Sequence, residues 1–339
     1  MISMPTGVGK RYTALFGIEE TLKKGDPVLI VVPSAILLNQ WCREISKIYP
    51  KVPMLLAGAG NRWKDDPLKR MFVSPIRKPR IILSTMMTAA SADFITFANQ
   101  ANNLLLIADE AHRLGSPVHQ QILNINFKGK MGLSATPMRL YDDKGNDFLN
   151  KEFGETPIFD LSIGAKVHID ENTEVPILGH FLSRYNYYFY RVDLIDDEKE
   201  AYMGFSEQIR KLSAIVNNSQ ETISTRRISK RLSMLLIQRA RIPKKAVNKI
   251  AVIQQIISER YPSNGKWIVY CEDKDQLNQV TDLLRDRFSD TVILNYHSNM
   301  GTEEKQRSLS YFEDNPCIIV SIRCLDEGVD IPDANGAII

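Results

Sequence analysis

The residues Met4-Pro-Thr-Gly-Val-Gly-Lys-Arg11 set two glycines and a lysine at a spacing suited to holding phosphate. Gly7 and Gly9 permit a tight turn, so the backbone N–H groups of the Thr6, Gly7, Val8, Gly9 loop can point at phosphate oxygens. Lys10 adds a positive charge for the β and γ phosphates, and a helix opening there adds its positive end. Leu104-Leu-Leu-Ile-Ala-Asp-Glu-Ala-His112 is an apolar run ending in two adjacent carboxylates. Asp109 suits Mg2+, directly or through water, and Glu110 suits general-base activation of an attacking water. Met131-Gly-Leu-Ser-Ala-Thr-Pro137 then offers hydroxyls on Ser134 and Thr136 that could sense Glu110 or His112. Each piece alone also fits a blander role: a glycine turn with a surface lysine, a solvated acidic turn, a common Ser-Ala-Thr string.

These residues need elements to bring them together. Val28–Val32, Ile81–Leu83, Leu104–Ile107, Trp267–Tyr270 and Cys317–Val320 are short β-branched and aliphatic runs without polar alternation. Strands buried on both faces read this way, which points to parallel sheets covered by helices. Helix-like stretches lie between them, among them Ile36–Tyr49 and Asp275–Phe288, and the alternation predicts a doubly wound α/β fold. Residues at the carboxyl end of such strands face the ligand crevice. The alternation lapses from about Tyr141 to Ser263. A strand pair is expected there around Phe181–Tyr190, then helices over Asp197–Lys211 and Thr222–Arg239.

The order Gly-x-Gly-Lys, Val32-Pro-Ser34, Ser84-Thr85, Asp-Glu-Ala-His and Ser-Ala-Thr-Pro resembles the superfamily 2 helicases and translocases of the DEAH type, in their restriction-enzyme and repair-helicase branch. Ile318-Ile-Val-Ser-Ile-Arg-Cys-Leu-Asp-Glu-Gly-Val-Asp-Ile-Pro332 is similar to the fifth motif of that family. The resemblance implies two RecA-like lobes: a first ATP-binding lobe over 1–160, a mainly helical insertion over 161–250 and a second lobe over 251–339. It implies ATP and Mg2+ as cofactors and nucleic acid, DNA rather than RNA, as partner. Ser34, Thr85, Ser321 and Arg323 would contact the nucleic-acid backbone, along with the Gln40-Trp41 region. Gly328 and Asp330 would approach the nucleotide from the second lobe. The family next expects a Gln-x-x-Gly-Arg-x-x-Arg element, whereas this chain ends at Ile339, and at its start the loop leaves little room for a preceding strand. The expectation is a fragment with a truncated second lobe. Arg11 departs from the family, which places there a Thr or Ser hydroxyl on Mg2+.

From Thr222 to Ser258 there is no acidic residue, yet nine are basic: Arg226, Arg227, Lys230, Arg231, Arg239, Arg241, Lys244, Lys245 and Lys249. Leu232, Leu235, Leu236 and Ile237 interleave with them as on an amphipathic helix. A phosphate-tracking surface and a solvated basic helix both fit. Tyr185, Tyr187, Tyr188 and Tyr190 alternate as in cross-strand packing, with base stacking as the other reading.

At 44% apolar residues over 339 the chain can bury more than one core, and a net charge of +3 names no partner. Cys42, Cys271, Cys317 and Cys324 lack metal or redox spacing and read as reduced thiols. The apolar runs are far shorter than a membrane span and no basic-then-apolar leader opens the chain. A cytoplasmic protein, nuclear in a eukaryote, is expected. Three functions stay open: an ATP-driven motor, a non-hydrolysing nucleic-acid binder, and a subunit working with separate nuclease or specificity chains.

Overall fold

A computed structural model of the chain describes residues 1–66, 68–72, 77–139, 142–170, 172–217, 223–322 and 334–339. Their contacts form two units, Met1–Asn186 and Tyr187–Ile339. The first is built on seven strands: β1 (Ile2–Ser3), β2 (Pro27–Val32), β3 (Met54–Ala57), β4 (Arg80–Thr85), β5 (Leu105–Asp109), β6 (Gly129–Ser134) and β7 (Phe159–Asp160). They lie in the order β3-β4-β2-β5-β6-β1-β7, and every neighbouring pair is parallel.

Both faces of this sheet are covered, as the unbroken apolar runs require. Leu29, Val31, Ile82, Leu106 and Ala108 enter one core cluster. Val28, Ile30, Val32, Ile81, Leu83 and Ile107 enter the other, against the helices Lys10–Gly17 and Ala35–Ile48. The alternation along each strand therefore separates two apolar layers. Although little sequence precedes the glycine loop, β1 does lie there, two residues long between β6 and β7.

Two of the named strands pair antiparallel, β8 (Lys166–His168) with β9 (Glu174–Pro176). The strand pair expected around Phe181–Tyr190 does not form. No described strand takes the ladder bonds of that segment, and Tyr185, Tyr187, Tyr188 and Phe189 stay exposed. Arg260 engages the aromatic run instead: its guanidinium lies 4.0 Å from the Tyr188 ring centroid and its Nε donates to Tyr190 Oη at 2.7 Å.

The second unit holds β10 (Lys266–Cys271), β11 (Ile293–Tyr296), β12 (Cys317–Ile322) and β13 (Gly336–Ile338) in the parallel order β11-β12-β10-β13. Its core joins Trp267, Val269, Ile318 and Val320 to Ile253, Ile257, Leu277 and Leu284 of the helices Asn248–Arg260 and Lys274–Arg287. The helices Asp196–Asn217 and Ile223–Lys244 pack on each other. On the second of these the apolar residues are split, with Leu235 buried but Leu236 and Ile237 exposed, so the expected single apolar face is incomplete. Among the described residues no helix is long and apolar enough to cross a membrane.

Cys271 on β10 and Cys317 on β12 are buried, and burial pushes their thiols up to about 12 and about 11. Both are thus thiols rather than thiolates at neutral pH. A thiol-specific disulfide reagent at pH 8 should modify Cys42 in the native chain and reach Cys271 and Cys317 only on unfolding. Peptide mapping by mass spectrometry checks this, and native labelling of Cys271 would contradict the sheet.

Candidate active site

The parallel register brings five strand ends of the first unit to nearly one level. Ser84 pairs with Val31, Val31 with Ala108 and Ala108 with Gly132, while Ser134 pairs with Ser3. The glycine loop follows β1, the carboxylates end β5, and Ser134 ends β6. Chain segments far apart in sequence therefore open onto one edge, the ligand edge of such sheets.

Gly7 and Gly9 have φ of 88° and 97°, left-handed values that suit glycine, and Gly9 directly precedes the helix Lys10–Gly17. A Cβ on Gly9 would meet nothing within 4 Å, so this part of the loop faces open space; a Cβ on Gly7 would press on Leu182. Lys10 is buried, and among the described residues its ammonium makes one hydrogen bond, to Met4 O at 3.3 Å. A buried ammonium with one neutral partner at a helix N-terminus is under-compensated, and a phosphate could supply the missing charge. Thr6 is exposed at the rim and Val8 half-buried.

Asp109 is buried at the end of β5. Its Oδ2 accepts a hydrogen bond from Trp41 Nε1 at 2.8 Å and its Oδ1 accepts from the Glu110 N–H at 3.1 Å. Each oxygen keeps a second lone pair, so a divalent cation or its water can still be bound. Among the described residues no group of three or more His, Cys, Asp or Glu gathers that could hold a metal ion. With its free lone pairs Asp109 could hold Mg2+ together with water and phosphate oxygens. Arg11 supplies no ligand: its guanidinium bonds Glu44 Oε1 at 2.8 Å, with side-chain exposures of 20% and 18%.

Glu110 has φ of 49°, a left-handed value unusual for a non-glycine residue and costing about 1–3 kcal/mol. Its Oε2 lies 3.5 Å from His112 Nδ1, which lies 3.0 Å from Ser134 Oγ. Ser134 Oγ also accepts from the Thr136 N–H at 3.1 Å, so Thr136 joins this chain through its backbone rather than its hydroxyl. Arg139, which sequence reasoning passed over, donates to His112 O at 2.9 Å and pairs with Asp142 at 2.7 Å. That hydrogen bond holds the Asp142 carboxyl below its ordinary range.

Ser34 caps the helix Ala35–Ile48, its Oγ accepting from the Leu37 N–H at 3.3 Å. Thr85 is buried and caps the helix Met86–Ala89. Gln40 and Trp41, expected along a nucleic-acid track, are both buried, and Trp41 turns to the carboxylate site because its indole N–H needs an acceptor there. In the second unit Ser321 is buried on β12, in register with Tyr270 and Tyr296. Arg323, Gly328 and Asp330 lie outside the described residues. Part of the basic run is already paired: Arg241 and Lys244 with Glu272 at 3.8 and 3.5 Å, and Lys245 with Asp273 at 2.5 Å. Lys230 and Arg231 are exposed.

Glu44 was as invisible to sequence reasoning as Arg139, and its pairing changes what Arg11 means. Arg11→Thr should lower stability by about 1–3 kcal/mol, because it leaves a mostly buried carboxylate without its cation. Adding Glu44→Gln should recover at least half of that loss. Urea unfolding of the single and double variants measures both, and a loss that the second change leaves untouched would show the pair to be incidental.

Residues 1–139 match the family described as type III restriction enzyme, res subunit, and residues 248–339 match the helicase conserved C-terminal domain. The DNA 3'-5' translocase XPB2 of Sulfurisphaera tokodaii is 27% identical across 100% of this chain and 70% of its own length. A helicase-like protein of Frog virus 3, 055L, is 31% identical over 42% of this chain and 30% of its own. Among solved structures, an S. cerevisiae Dbp5 variant bound to RNA and ADP BeF3 superposes with a TM-score of 0.55 at 12% identity, covering 99% of this chain and 68% of that one, a likeness of fold. With these two matches in sequence order on two parallel-sheet units, the chain belongs to the superfamily 2 helicases.

Proposed function

We propose that the chain hydrolyses ATP to move along nucleic acid, with DNA as the track, as a DEAH-type motor of the restriction and repair branch. The observation that carries this is the shared strand edge. The loop that leads to Lys10 and the Asp109–Glu110 pair follow strands that end on this edge, and Glu110 is linked through His112 to Ser134. The name of the Sulfurisphaera relative favours DNA.

In this reading Thr6, Gly7, Val8 and Gly9 wrap the phosphates and Lys10 offsets their charge. Mg2+ bound with ATP would neutralise further phosphate charge, held by Asp109. Glu110 takes the proton of the attacking water, and its strained backbone fixes where that carboxylate sits. His112, Ser134 and Thr136 pass the state of Glu110 to the loop after β6. Residues 1–160 bind the nucleotide, 161–250 form the insertion and 251–339 the second lobe, with Gly328 and Asp330 as its proposed ATP-binding residues. Ser34, Thr85, Ser321 and Arg323 are the proposed backbone contacts, extended by the exposed Lys230 and Arg231. Nuclease or specificity subunits would do any cleavage.

Arg11 favours a second reading, a chain that grips ATP and nucleic acid without turnover. Lys10→Ala should abolish ATP binding, whereas Glu110→Gln should keep binding and lose turnover by about 10²-fold or more. Lys230→Glu with Arg231→Glu should weaken duplex binding and reduce its salt slope by about two. Steady-state phosphate release with and without duplex DNA, beside equilibrium binding over a salt series, reads all of these. Tight ATP and DNA binding with no turnover in the unaltered chain selects the second reading.

A further inference from the structure

We propose that Trp41 and Glu44 are positioning residues of the nucleotide site. Trp41 fixes the Asp109 carboxylate, and Glu44 engages Arg11 so that the metal side of the site stays acidic. This rests on the reading that the site binds Mg2+ with ATP. The two residues stand three apart on the helix Ala35–Ile48 and so share one face. One reaches across to the end of β5, the other to the first turn of the helix after the glycine loop. A single rigid element thereby touches both halves of the site.

The chemistry on that face is specific. Trp41 is fully buried, and its indole N–H has to find an acceptor. A charge-assisted bond of 2.8 Å to Oδ2, opposed by the Glu110 N–H on Oδ1, stops the carboxylate from rotating. Its remaining lone pairs are then fixed in direction before any metal arrives. Glu44 spends Oε1 on Arg11, while its buried Oε2 has no hydrogen-bond partner among the described residues. The same holds for the buried Gln40 Oε1, one turn earlier. A core-filling role for Trp41, among Leu37, Leu38 and Ile45, would need the ring but not its N–H.

That difference sets the experiment. Benzothienylalanine in place of Trp41 keeps the ring shape and removes the donor, and Trp41→Phe removes both donor and bulk. Calorimetric titration of the full chain with ATP, in EDTA and across a Mg2+ series, separates nucleotide from metal. The expected result for benzothienylalanine is ATP affinity in EDTA within about twofold of the unaltered chain, with the Mg2+ concentration for half-maximal tightening raised about tenfold. Glu44→Gln, which removes the carboxylate that faces the Arg11 guanidinium, should raise the same concentration. An unchanged Mg2+ requirement in the benzothienylalanine protein overturns the positioning role while leaving the nucleotide reading intact. An unaltered chain whose ATP binding ignores Mg2+ removes both.

Discussion

Parallel strands in register cannot end at different levels without leaving backbone groups unpaired in the core, and the first unit obeys this constraint closely. Val31, Ala108 and Gly132 stand side by side, so the chain leaves β2, β5 and β6 at the same height. Whatever residues follow each strand are forced together there. The glycine loop arrives by the same rule, because Ile2 and Ser3 of β1 pair with Leu133 and Ser134 of β6. Two residues of strand suffice to anchor the loop because both neighbours are parallel and the next residue, Met4, still donates to Ser134 O at 3.1 Å. Chemistry then needs only the right side chain at each exit.

Buried charge sits at both ends of the sheet and meets different partners at each. At the amino ends of the strands Asp26 is buried, yet both oxygens are engaged, by Asn103 Nδ2 at 3.2 Å and Lys128 Nζ at 3.4 Å. That carboxylate ties the starts of β2, β5 and β6 and has no further demand. At the carboxyl ends, among the described residues, Lys10 has one neutral partner, Glu44 keeps an unpartnered oxygen, and Glu110 sits at a positive φ. The groups at the carboxyl ends lie where a ligand can answer them, whereas at the other edge Asn103 and Lys128 already answer Asp26.

The central strands were legible because they are buried on both faces, which leaves continuous runs such as Val28–Val32 with no polar residue to confuse the period. The two-residue strands β1 and β7 carry no period at all, and only their neighbours define them. The aromatic run from Tyr185 misled for the converse reason, since alternation needs a partner strand and Arg260 stands there instead. In the site, the loop and carboxylates were legible because phosphate and water chemistry restrict residue type at short spacing. Trp41 and Glu44 were not, because each acts on a residue tens of positions away: 68 from Trp41 to Asp109 and 33 from Arg11 to Glu44. The one available signal was a helix with a tryptophan and a glutamate three apart on its buried side.

Arg11 shows how a departure from a pattern changes meaning once its partner is known. Read alone, a guanidinium where a metal-binding hydroxyl belongs argues for a crippled site, since it adds a positive charge close to a cation. Read with Glu44, the two charges cancel within the pair, and the site loses an oxygen ligand without gaining net repulsion. A carboxylate that also holds an arginine could not have been kept on that helix face for a threonine, which would leave it buried and alone. The two positions therefore have to be read together. What the site gives up is the geometric precision of a direct ligand. In the proposed site the bond from Trp41 would restore precision at Asp109, because a carboxylate clamped from both sides presents its free lone pairs in one direction.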